Sequence, residues 1–204
     1  VCAFGVDALG AGGAAGCEVS SVREVLDDAR GRPAGITVGV TSRADSRFFP
    51  ALIERAAGVR FKYVAYEGIA SRTRALVGGQ IDLVESDFGR RATVDGRHLQ
   101  LLAVASEQRM IQAPDVPTLR ESGVDVVFAV TRGVMAPKRT PADVIASLDA
   151  ACAKAAAEPT FADTAARLGT VPAYLDGRAD AERLRQQDET VRRLARELGL
   201  LRRS

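Results

Sequence analysis

The sequence predicts an α/β protein built on a mainly parallel sheet. Three observations carry this. Short apolar runs alternate with amphipathic stretches of helical period, which is the order of βαβ units. The apolar runs are nearly continuous, as strands buried on both faces require. They are joined by helix-length stretches, which suits crossovers rather than hairpins.

In chain order, "SSVREVLDDARG" (20–31) predicts a helix. Ser20 or Ser21 is placed to cap it, Glu24 completes a capping box, and Val22, Val25, Leu26 and Ala29 share one face. "GITVGV" (35–40) predicts a strand, "TSRADS" (41–46) a loop and "RFFPALIERAAG" (47–58) a helix with Pro50 in its first turn, where no N–H is needed. The unit then repeats: "VRFKYVAY" (59–66) as strand, "EGIAS" (67–71) as loop, "RTRALVGG" (72–79) as a short helix ended by glycines. "QIDLVES" (80–86) and "LQLLAVAS" (99–106) predict two more strands. With 36–40 and 61–66, these four are expected to be neighbours in one sheet with helices on both faces. "VDVVFAVTRGVMAP" (124–137) is long for one strand and suits a crossing between lobes. Helices follow over 140–159, with Thr140 as N-cap and Pro141 first, over 160–169, and over 180–200, with an extended piece at 170–175.

The totals exclude several classes. Net charge is +2, too small to indicate nucleic acid or an acidic membrane surface, and no apolar run reaches the ~20 residues of a spanning helix. Cys2, Cys17 and Cys152 form no CxxC pair, so neither a zinc site nor a disulfide scaffold is expected, and mid-helix Cys152 reads as a core residue. The single histidine, His98, reads as a strand-entry residue. No cofactor or metal is implied. The start at Val1 shows no basic n-region or long apolar h-region. "AAGC" (14–17) has some likeness to a lipoprotein cleavage site at Cys17, but the stretch before it contains Asp7 and no positive charge, and it reads as a Gly/Ala-rich strand end and loop.

Several blocks together resemble the periplasmic solute receptors of tripartite tricarboxylate transporters, the Bug receptors. "LLAVASEQRMIQAPDVPTLRESGVDV" is similar to that family's strand, "PDVPT", short helix, Gly and crossing strand. "YVAYEG" (63–68) resembles its "VPYKG", "ALVGGQIDL" (75–83) its "LLGGEVDV", and "MAPKRTPADV" its "APAGTP" with the helix after it. "SSVREVLDDARGRPAGITVG" is similar to its "KSVKELIA.AKANPGKLNYG" block; the likeness covers about residues 18–200.

The resemblance implies a type II periplasmic-binding-protein-like fold, with a carboxylate gripped between two α/β lobes. Residues 1–17 then form a crossover strand and Gly-rich lead, 18–126 a near-complete second lobe, and 127–204 a crossover strand and the C-terminal helices of an incomplete first lobe. It also implies periplasmic localisation, transporter subunits as partners and no catalysis. "PDVPT" becomes scaffold, its fixed proline φ angles aiming the next strand. Two departures stand out: the family's signal peptide and Gly-rich first-lobe loop have no counterpart here, and "TSRADSR" lacks the family's glycines at the ligand loop. Apolar faces at Ile145, Leu148, Leu168, Leu184, Val191, Leu194 and Leu198 are expected to lack cover, so that self-association, or repacking of the C-terminal helices onto 18–126, is expected.

The candidate ligand residues follow from the fold class. Ligands lie beyond the carboxyl ends of parallel strands, where helix N-termini favour anions. Thr41, Ser42 and Ser46 offer hydroxyls, and Arg43 or Arg47 a bidentate carboxylate contact. Tyr66, Gly68 and Ser71 lie at the next strand end; Ser86 and Asp87 end the third. A carboxylate there would hold an ammonium group or orient Arg43. Three rival readings are a cysteine hydrolase or racemase, which lacks a positioned base; a LysR-type effector-sensing domain, which lacks its helix-turn-helix; and a fragment that binds nothing.

Overall fold

A computed structural model of the chain describes residues 1–14, 20–41, 44–87, 99–110, 113–168 and 170–197. Two compact units form: Ala8–Ala129, and Val1–Asp7 together with Val130–Ser204. One strand, β1 (Cys2–Ala14), contributes its later residues to the former and its first residues to the latter.

In Ala8–Ala129 the elements after β1 are α1 (Val22–Gly31), β2 (Thr37–Thr41), a 3-10 turn (Ala44–Arg47), α2 (Phe48–Ala57), β3 (Lys62–Tyr66), α3 (Ile69–Val77), β4 (Leu83–Asp87) and β5 (Leu99–Val104). The strand order is β3-β2-β4-β1-β5. β2 is parallel to both β3 and β4, as the alternation predicts. The four expected strands do lie in one sheet, but β1 runs antiparallel between β4 and β5. The Gly/Ala-rich start is therefore strand over most of its length. Its antiparallel place in the sheet has no signal in the sequence, since Gly10, Gly12 and Gly13 pair through backbone alone.

Helices cover both faces. Val22, Val25, Leu26 and Ala29 of α1 and Phe49 and Ile53 of α2 pack on Val38, Val40, Leu83 and Leu102. Ala75 and Leu76 of α3 pack with Ile81, Val84 and Leu99 on the opposite face. The capping box at α1 is present: the Glu24 amide donates to Ser21 Oγ at 3.3 Å, and the Ser20 amide donates to the Glu24 carboxylate at 2.7 Å. Pro50 is the third residue of α2.

The "PDVPT" loop is tied at every turn. The Val104 amide donates to the Pro117 carbonyl and the Leu119 amide to the Val104 carbonyl, both at 2.9 Å. The Arg109 guanidinium reaches the Pro114 carbonyl at 2.9 Å and both Glu121 oxygens at 3.0 Å. Glu121 in turn accepts the Thr118 amide at 2.7 Å.

The other unit contains β6 (Ala129–Val134, all but its first residue), α4 (Ala142–Ala156), α5 (Pro159–Arg167), β7 (Thr170–Leu175) and α6 (Gly177–Glu197). β6 and β7 both pair with β1. Thr140 is not the cap of α4: its hydroxyl donates back to the Pro137 carbonyl, and Pro141 takes the N-cap position. Among the described residues, the buried apolar ones here are Cys2, Ala3, Ala165, Leu194 and Ala195, and α4 buries none. Leu148, Leu168 and Leu184 are exposed as expected, whereas Leu194 is buried. Leu198 lies outside the described residues.

Cys2 and Cys152 form a disulfide across 150 residues of sequence. This corrects the expectation that the cysteines stay unpaired and that Cys152 is a simple core residue. The spacing carries no signature because folding alone brings β1 and α4 together. Cys17 and His98 lie outside the described residues.

Candidate functional site

Of the candidate residues, the described Thr41, Ser46, Tyr66, Gly68, Ser71, Ser86 and Asp87 lie at or just beyond the carboxyl ends of β2, β3 and β4. Parallel register sets Thr41 directly beside Tyr66. β4 pairs with β2 at Val38–Leu83 and Gly39–Val84, so its last residues, Ser86 and Asp87, lie at the same end. The ends of β2 and β3, at Thr41 and Tyr66, are thereby neighbours, each followed by a helical segment. α2 begins after Arg47 and α3 after Gly68. Among the described residues no side chain caps either helix, and neither has an acid in its first turn. The two helix starts lie side by side, with Asp45 in the 3-10 turn that runs straight into α2 and Glu67 just before the Gly68 cap of α3; their backbone amides and dipoles favour an anion.

The hydroxyls are arranged differently from the expectation. Ser46 is buried, and its Oγ accepts the Thr41 amide at 2.7 Å and the Thr41 hydroxyl at 2.9 Å. These bonds close the loop over five residues. Ser71 donates to the Gly68 carbonyl at 2.8 Å, so it tightens the first turn of α3 rather than capping it. Gly68 itself is the N-cap, in extended backbone. Tyr66 is half-buried and packs against the α3-side core. Arg47 is drawn elsewhere: its guanidinium lies 4.6 Å from the centre of the Tyr63 ring, three residues back from Tyr66. Burial first, and then its bond to Glu54 at 2.7 Å, push the Tyr63 hydroxyl well above the ordinary tyrosine range. Ser42 and Arg43 lie outside the described residues. Ser86 and Asp87 are placed by their backbone.

Sequence reasoning missed Arg72 and Glu85. Arg72, in the first turn of α3, is only 3% exposed. It donates to the Glu85 carbonyl at 3.0 Å, the Glu85 carboxylate at 3.5 Å and the Gly39 carbonyl at 3.5 Å. It thereby ties β2 to β4 beneath the site. The available signal was an arginine on the face of α3 that also carries Ala75 and Leu76. Among the described residues no cluster of three His, Cys, Asp or Glu side chains could hold a metal ion. No described helix is long and apolar enough to cross a membrane.

Comparison with known proteins bears on this geometry. The sequence profile of the tripartite tricarboxylate transporter family receptor, TctC, matches residues 14–200. The chain belongs to this family. Curated relatives agree: a UPF0065 protein of Cupriavidus necator is 26% identical over 185 residues, covering 89% of this chain and 56% of that protein. A UPF0065 protein of Agrobacterium vitis is 31% identical over 147 residues, covering 71% of this chain and 42% of its own length. The chain thus spans about half the length of these relatives.

Among solved structures, a TctC solute binding protein from Polaromonas superimposes with a TM-score of 0.80 at 26% identity, over 97% of this chain and 68% of that one. An R. palustris protein solved with adipate gives a TM-score of 0.82 at 22% identity, over 97% and 66%. A further structural relative is MatC from Rhodopseudomonas palustris with bound malate, at a TM-score of 0.70 and 22% identity, over 84% of this chain and 59% of that one. The fold is the α/β fold of the family's periplasmic binding proteins. This is a family of solute-binding receptors rather than of enzymes.

Proposed function

We propose that the chain serves as part of an extracytoplasmic receptor that captures a small di- or tricarboxylate, or an amino-acid-like carboxylate, for a tripartite transporter, acting in the periplasm with the membrane subunits of that system and without catalysis. The observation that carries this is the pair of helix N-termini, α2 and α3, left without side-chain caps side by side at the ends of β2 and β3. Each supplies backbone donors and a favourable dipole, and two of them suit the two oxygens of one carboxylate.

In this reading Thr41, Ser46 and Ser71 shape the loops, while backbone amides, Ser42 and Arg43 meet the anion. Tyr66 and Gly68 line the neighbouring rim, and Ser86 and Asp87 lie across from Thr41. Asp87 repels a second carboxylate but suits an ammonium group. Structural relatives crystallised with adipate and with malate support a small carboxylate as the solute class.

Calorimetry with adipate, malate and aspartate tests the reading. Affinity is expected to be weak, with Kd above about 1 μM, or less than about 8 kcal/mol of binding energy, because the receptor reading places further donors in a facing lobe. Arg43→Ala is expected to cost about 1.5–3 kcal/mol, the range of a charge-assisted contact, and Ser42→Ala less. Equal affinity in both variants and the parent sinks the assignment.

A further inference from the structure

We propose that the Cys2–Cys152 disulfide is the principal tie of the unit made by Val1–Asp7 and Val130–Ser204, and that a small dithiol opens it through the apolar cavity beside α4, loosening that unit while Ala8–Ala129 stays folded. The inference is independent of any ligand.

Packing provides the first argument. α4 has no buried residue, and Leu148 and Val144 on it are exposed. Besides Cys2, the buried apolar residues described in this unit are Ala3, Ala165, Leu194 and Ala195. Three of these are alanines, which contribute little burial energy. By contrast, Ala8–Ala129 buries Phe49, Leu76, Ile81 and Leu119 almost completely. α4 therefore depends on its covalent bond to β1 to an extent that no helix of the other unit does. The two Cα atoms lie 6.6 Å apart, within the span a disulfide bridges.

Access provides the second. A cavity of about 330 Å³ is lined by Phe4, Val134, Leu148, Ala151, Cys152 and Phe161. Cys2 is completely buried, whereas Cys152 is partly exposed and borders this space. Thiol–disulfide exchange requires a thiolate to approach one sulfur, the other leaving. The reachable sulfur is that of Cys152. The thiolate of a dithiol attacks Cys152 Sγ, the S–S bond breaks, and Cys2 leaves as a thiolate that takes up a proton. The second thiol of the reagent then displaces Cys152, which is protonated in turn. The cystine gains two electrons and the dithiol becomes a cyclic disulfide.

The test is made on the full chain, purified without reductant and then treated with dithiothreitol under native conditions. Hydrogen exchange is read by mass spectrometry, and thiols by alkylation. Before reduction, Cys2 and Cys152 are expected to resist alkylation; afterwards, both are expected to react. Amides of α4 and β7 are expected to exchange at least tenfold faster on reduction, while those of β2, β3 and β4 keep their rates. The reduction rate is expected to rise linearly with dithiol concentration, as direct attack on the folded protein requires. The double variant Cys2→Ser/Cys152→Ser is expected to exchange like the reduced protein. Free thiols at Cys2 and Cys152 before treatment, unchanged exchange in α4 on reduction, equal loosening of both units, or a reduction rate that saturates at the unfolding rate would each overturn the proposal.

Discussion

Gly39 occupies the middle of β2, where a side chain would ordinarily be welcome. A Cβ built there would stand 2.8 Å from Cγ of Arg72 and closer still to the side chain of Ile81. Glycine in a strand often marks such an approach. Its absence of a side chain lets Arg72 pass across β2, reach the Gly39 and Glu85 carbonyls and tie the two strands just below the proposed anion site. Burying a guanidinium is tolerable only because these acceptors and the Glu85 carboxylate meet it. Gly39→Ala should therefore destabilise the protein by about 1–3 kcal/mol through overpacking, read as a lower urea midpoint at unchanged slope. A midpoint equal to the parent's would mean that Arg72 can move aside at no cost.

At the scale of elements, the "PDVPT" loop joins β5 to the segment that leads into β6, and its rigidity comes from Glu121 as much as from its prolines. The Arg109 guanidinium beside it, and then the Thr118 amide, hold the Glu121 carboxyl below the usual carboxylate range. The sign follows from linkage: a depressed folded pKa contributes stability that is complete above the unfolded value of about 4.3 and is lost as pH falls through the lower folded value. Between about pH 5 and pH 3 the parent should lose part of its advantage over Glu121→Gln, so that their urea midpoints approach each other. A gap independent of pH in that window would contradict the role assigned to this carboxylate. The prolines made the loop legible in the sequence as scaffold. The Arg109–Glu121 pair was not legible, because its members meet only when the loop folds back. What β1 pairs with was not legible either, because its glycines pair through backbone and leave no alternating pattern. Strands β2 to β5 and helices α1 to α3 could be read because each carries its own apolar period or cap. That Thr41 and Tyr66 lie side by side followed from parallel order alone. What the hydroxyls of Ser46 and Ser71 bond to did not, since that depends on backbone angles within each loop.

The two units of the molecule differ in how they are held. Ala8–Ala129 has helices on both faces of its sheet, whereas the other unit exposes Val134, Met135, Val144, Leu148, Leu168 and Leu184. An apolar surface of that kind favours association, and we expect light scattering at tens of micromolar protein to give a mass above the 21.6 kDa of one chain; a monomer throughout would contradict this. The central claim, however, is the proposed anion site at the ends of β2 and β3. Its most direct test is a titration of the isotope-labelled chain with malate or adipate, followed by amide chemical shifts. We expect the largest shifts at the helix starts Phe48, Phe49, Ile69 and Ala70 and in loops 41–46 and 66–71, saturating with a single dissociation constant. Shifts scattered over the surface, or saturable shifts centred anywhere other than the ends of β2 and β3, would contradict the account.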